Sequence, residues 1–118
     1  MKRWPKLPKV VDGMAGPIKV VVRRVDRVVA KDGDECWGLF YAADRKIVVA
    51  GKVPPALRWH SFAHEWVHAW MMDAGIGNII HGKDEEEKER NVEIICDTLA
   101  TAFVRSMARH VGMDPYEK

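Results

Sequence analysis

The strongest constraint on the fold is the segment from Ala56 to about Ala74. Its apolar residues Leu57, Phe62, Ala63, Val67, Trp70 and Met71 recur at helical spacing, and the pattern stops at Gly75 and Gly77. The spacing predicts a long amphipathic helix that must bury one face. His64 and His68 lie four residues apart on it, so both imidazoles leave the same side and can approach one cation. Glu65 follows the first histidine, about 100° around the helix, where a carboxylate reaches a water on that cation rather than the cation itself. The pattern separates two ligands from one base.

A catalytic zinc takes three protein ligands and keeps a position for water. A second helix is expected to open on the acidic run Asp84 to Arg90 and to end near Gly112, with Val92, Ile94, Ile95, Leu99, Phe103 and Val104 along it. It offers Glu93 and Asp97, again four apart. Glu93 is the expected third ligand, with Asp97 as its nearest rival. Asp97, one turn further on, is placed to accept a hydrogen bond from a ligand histidine and fix its tautomer. Acidic groups among Ile94, Ile95 and Leu99 are costly to bury unless paired or bound to metal.

Before the helices the chain is β-prone. Ile18 to Val29 alternates valine with arginine and reads as one strand. Trp37 to Ala42 and Arg45 to Ala50, separated by Ala43 and Asp44, read as a hairpin. Three strands followed by two long helices make an α+β fold: a small antiparallel or mixed sheet, then helices carrying the metal site. With 118 residues, 47% of them hydrophobic, the chain suits a single domain, here residues 18 to 118. Residues 1 to 17 hold Lys2, Arg3, Lys6 and Lys9 with Pro5 and Pro8, and are expected to be a flexible basic arm.

The arrangement His64-Glu65-x-x-His68 followed by Glu93-x-x-x-Asp97 resembles the zinc signature of gluzincin peptidases. The local sequence from Phe62 to Ala69, with Ala100 and Phe103 on the second helix, is more closely similar to the ImmA/IrrE-type metallopeptidases of bacteria and phages. The resemblance covers roughly residues 37 to 106 and implies a zincin-like domain, here close to minimal and departing from some members in that no helix-turn-helix region is seen. It further implies Zn2+ held by His64, His68 and Glu93, with Glu65 as base. A strand before the active helix, here Ile47 to Ala50, would align the substrate. A metzincin is excluded, because its longer signature needs a glycine and a third histidine where this chain has Met71 and Ala74.

Other residues carry weaker expectations. His81 is a candidate donor to a developing oxyanion, and Tyr41 a lesser one. Asp73 is a distant rival as ligand; His60 and His110 read as ordinary histidines, and Trp59, Trp66 and Trp70 as packing residues. Cys36 and Cys96 lack paired-thiol spacing and no export signal is seen, so reduced thiols in a cytoplasmic protein are expected. A charge of 19 basic against 17 acidic residues argues against nucleic acid as the main partner, and no apolar run spans a membrane. The expected partner is a protein or peptide substrate, or a regulatory protein. Two rival readings stand beside hydrolysis: a zinc-stabilised binding module without turnover, and nucleic-acid binding through the basic arm.

Overall fold

A computed structural model describes residues 4–111. Lys2, Arg3 and the expected helix end at Gly112 lie outside the described residues. The chain forms β1 (Val10–Gly13), β2 (Gly16–Arg23), β3 (Val28–Val29), β4 (Glu35–Cys36), β5 (Gly38–Tyr41) and β6 (Lys46–Ala50). Two helices follow, α1 (Pro55–Ala74) and α2 (Glu85–Val111), with a 3-10 turn at Ile76–Ile79 between them. The fold is α+β, with a four-stranded mixed sheet in the order β1-β2-β6-β5 and a separate pair, β3-β4.

β6 lies in the centre, parallel to β2 and antiparallel to β5. Its run Ile47-Val48-Val49-Ala50 is fully enclosed because both faces are covered. Ile47 and Val49 join Ile18, Val20, Trp59, Phe62, Ala69 and Val104 beneath the helices. Val48 and Ala50 pack on the opposite face against Val28, which the β3-β4 pair brings over the sheet.

Three expectations change. The strand read from Ile18 to Val29 ends at Arg23: continued alternation would put Arg24 and Asp26 on the face that Ile18 and Val20 bury. Ile47 to Ala50 cannot align a substrate by main-chain pairing, because β6 is bonded on both sides; the open edge belongs to β5. Finally, the arm is not free over its described part. β1 pairs with β2, and Trp4, Leu7 and Val11 pack on the core. Three indoles of α1 clip this segment down: Trp59 donates to the Pro5 carbonyl at 2.8 Å, while Trp66 and Trp70 donate to that of Asp12 at 2.8 and 2.9 Å.

The helix ends follow local chemistry. Pro55 opens α1, where a missing N–H costs nothing, and Gly75 closes it at φ 68°, a left-handed cap that glycine adopts without strain. Asp84 caps α2: its carboxylate accepts from the Glu87 amide at 2.8 Å. No described helix is long and apolar enough to cross a membrane.

Candidate metal centre

α1 and α2 pack against each other and meet along a polar seam. From α1 come His60, His64 and His68, in a row at four-residue intervals; the ring centroids of His64 and His68 are 4.9 Å apart. Glu93 on α2 stands opposite. One of its oxygens lies 2.8 Å from His64 Nε2 and the other 2.6 Å from His68 Nε2. Ligand atoms of His64, His68 and Glu93 all lie within 4.8 Å of one another. Asp97 Oδ1 is 2.7 Å from His64 Nδ1, so it takes the ring nitrogen that faces away from Glu93.

Two neutral imidazoles and one carboxylate form a donor set that suits a divalent transition ion, zinc among them. When Asp97 holds the proton of His64 on Nδ1, the lone pair of Nε2 faces a carboxylate oxygen. Like-signed groups at such distances require a proton between them, and a metal ion in its place would hold the same atoms slightly further apart. Burial lowers the pKa of His68 against the opposing pull of Glu93, which favours the neutral form a ligand needs. The residues therefore fit a metal.

Glu65 stands outside the triad and lines the same cleft. Burial raises its pKa to about 7, with the nearby Glu93 adding to the rise and His64 opposing it. The cleft, about 370 Å³, runs between the seam and β5 and is lined by His60, His64, Glu65, Glu93, Asp97 and the chain from Cys36 to Leu39, among others. β5 runs close to α1 at position 38, where a Cβ would be in ordinary contact with Glu65 Cγ at 3.4 Å and Ser61 at 3.5 Å. By ladder alternation Gly38 and Phe40 turn their main-chain groups to the open edge. Trp37, 41% exposed, lines the cleft too, with the Arg27 guanidinium 5.0 Å from its ring.

Other expected candidates fall elsewhere. His81 is exposed and does not line the cleft; its carbonyl accepts from Asn91 at 2.7 Å. Asp73 is committed to Arg45, with contacts of 2.6 and 3.0 Å, and to the Ala15 amide, so it ties the end of α1 to two turns of the sheet. The Arg45 hydrogen bond holds its carboxyl below the usual carboxylate range. Tyr41 packs in the cluster around Val48, with Lys46 over its ring, and His110 is exposed on α2. Burial pushes the Cys36 thiol up and that of Cys96 to about 12, so neither is a ready thiolate.

Sequence reasoning passed over His60. Its Nε2 lies 3.3 Å from Thr101 Oγ1 and 4.0 Å from Asp97 Oδ1, and it lines the cleft one turn before His64. The signal was present as a third histidine in the same four-residue period. It places an imidazole donor beside the triad, a position His81 does not occupy.

Comparison with known proteins adds no relative: no family model matches the chain, and neither the curated proteins nor the solved structures give a significant match.

Proposed function

We propose that the chain is a zinc-dependent metallopeptidase in which His64, His68 and Glu93 hold the ion and Glu65 carries the proton. The observation behind this reading is the convergence of three ligand atoms from two helices with a further carboxylate, Glu65, in the cleft lined by His64 and Glu93. A purely structural site has no use for that carboxylate.

A bound zinc ion supplies the Lewis acid that polarises a carbonyl and acidifies a water. The protein's own groups do the rest. Glu65 takes a proton from the attacking water and delivers it to the leaving nitrogen. The water oxygen bonds to the carbonyl carbon, the C–N bond breaks, and the amine departs with the proton. In the metal-free protein burial raises the proton affinity of the Glu65 carboxyl, and a bound cation would draw it back down. Asp97 orients His64 through Nδ1. The open edge of β5 offers main-chain partners to an extended peptide, and His60 offers a hydrogen-bond donor on the cleft wall. A cytoplasmic protein or peptide substrate is part of the same proposal.

Elemental analysis of the purified protein tests the site, and turnover tests the chemistry. About one zinc per chain is expected in the wild type, and none in His68→Ala or Glu93→Ala. Glu65→Gln is expected to keep the metal and to lose peptide cleavage by about 10²-fold or more. Absence of metal from the zinc-supplied wild type overturns the centre. Full cleavage by Glu65→Gln overturns the mechanism, and metal without cleavage of any peptide leaves a binding module.

A further inference from the structure

A second concavity lies where the amino-terminal segment passes β2 and the first turn of α1. It encloses about 700 Å³, within the range of ligand clefts. Leu7, Val20 and Val22 give it an apolar floor, while Val10, paired with Lys19, lines it from the other face of the sheet. Its charged lining is Lys6, Lys9, Lys19 and Arg58, with no acidic residue among the described ones. Four like charges around one groove are unusual in a chain whose net charge is only +2.

Two further observations narrow what the groove takes. Arg58 Nε is enclosed yet has no acceptor among the described residues. Enclosed guanidinium N–H groups are costly without one, and a carboxylate is their natural partner. Arg58 also stands in the first turn of α1, which carries no acidic residue.

The second observation is a short strand beside a long one. β1 pairs with β2 only from Gly16 to Lys19, and Val20 then donates to the Lys9 carbonyl at 2.9 Å. The odd residues of β2 bond to β6: the Lys19 amide reaches Arg45, and the Arg23 carbonyl accepts from Gly51. Alternation therefore turns the N–H and C=O of Val22 toward the β1 side, where β1 has already ended. The Val22 side chain is 44% exposed and lies on the same face as Ile18 and Val20.

We propose that this groove docks an extended segment of a partner protein in which carboxylates alternate with aliphatic residues, added as a strand beside Val22. Aliphatic side chains of such a segment cover Val20 and Val22, and its carboxylates meet Lys19 on the other face. One carboxylate at the end of the groove meets the positive charge of Arg58, which lines it. A lipid headgroup or an RNA would answer the charge but not the open main-chain groups of Val22. The site is independent of the metal centre and survives if the peptidase reading fails.

The probe is a fluorescein-labelled peptide, Glu-Val-Glu-Leu-Glu-Val-Asp-Leu, followed by anisotropy with the intact chain. Saturable binding that weakens with salt is expected, with no binding by a counterpart carrying lysine at each acidic position. Arg58→Met and the pair Lys9→Glu with Lys19→Glu should each weaken it by about tenfold or more. Val22→Pro removes the edge N–H at a position where an edge strand tolerates proline, and should abolish binding while the melting curve shows the fold intact. If that variant does not fold, the charge variants decide. Failure of the acidic peptide to bind, or equal affinity in the Arg58 and lysine variants, overturns the proposal. Tighter binding of phosphatidylglycerol vesicles or a 20-nucleotide RNA than of the peptide also overturns it, in favour of that polyanion.

Discussion

Two rows of aromatic heterocycles run along α1 and end in opposite ways. The tryptophan row, Trp59, Trp66 and Trp70, points its indole N–H groups at main-chain carbonyls of Pro5 and Asp12, and each donor finds an acceptor inside the protein. The histidine row, His60, His64 and His68, points its nitrogens at the side chains of Glu93 and Asp97, which are 54% and 62% exposed. The first row is complete in itself and holds the amino-terminal segment to the helix. The second brings lone pairs and carboxylates together in a group that could hold a metal ion. The same helix thus separates structure from chemistry by the kind of acceptor each face meets.

The largest expected effect breaks the tryptophan row at its buried end. Trp59 is 7% exposed, lies edge-on to Phe62 at 5.6 Å and contacts Phe103 at 6.0 Å. Trp59→Ala should cost about 3–5 kcal/mol in urea denaturation. The histidine row should respond only when metal is present. In chelator-treated protein, His68→Ala should move stability by less than about 1 kcal/mol, since its partner is exposed. Zinc at a hundred times its Kd should stabilise the wild type by about 2.7 kcal/mol and leave that variant unchanged. Equal stabilisation of both would erase the contrast between the rows.

Glu65 sharpens the comparison through pH. Its folded pKa, about 7, stands above the ordinary carboxyl value of 4.5, so the folded state binds the proton more tightly than the unfolded one. Metal-free protein should therefore lose stability as pH rises from 4.5 to 7, by on the order of 2 kcal/mol from this group. Glu65→Gln should flatten that slope and melt higher than the wild type above pH 7. An unchanged pH profile would mean the carboxyl is solvated. The smallest effect should come from Trp70→Phe, because the Asp12 carbonyl keeps its bond from Trp66. Roughly 0.5–1 kcal/mol is expected by chemical denaturation.

The parts of this molecule legible in the sequence share a short range. Helical period alone puts His64 and His68 on one face and Glu93 and Asp97 on another, and the hairpin of β5 and β6 follows from two β-prone runs and a turn. What stayed hidden depends on partners far along the chain. The indole bonds join residues 54 and 58 positions apart, and Asp73 meets Arg45 from 28 away. Nothing near Pro5 or Asp12 in the sequence announces a tryptophan partner, so the segment reads as a loose basic arm. Strand order is likewise a property of the assembled sheet: β6 looks no more central than β5 until β2 pairs with it.

That last pairing carries a kinetic consequence. β1 with β2 and β5 with β6 are antiparallel neighbours that close locally, whereas Lys19–Arg23 meets Lys46–Ala50 at a constant offset of 27 residues, as 46 less 19 shows. The sheet is two quickly formed ribbons joined along one slow parallel seam, and loop-closure entropy must be met there before the helices have a surface to cover. Nascent chains that have made both ribbons but not the seam expose the valine-rich edges of β2 and β6. Closing the seam covers those edges against pairing with other copies.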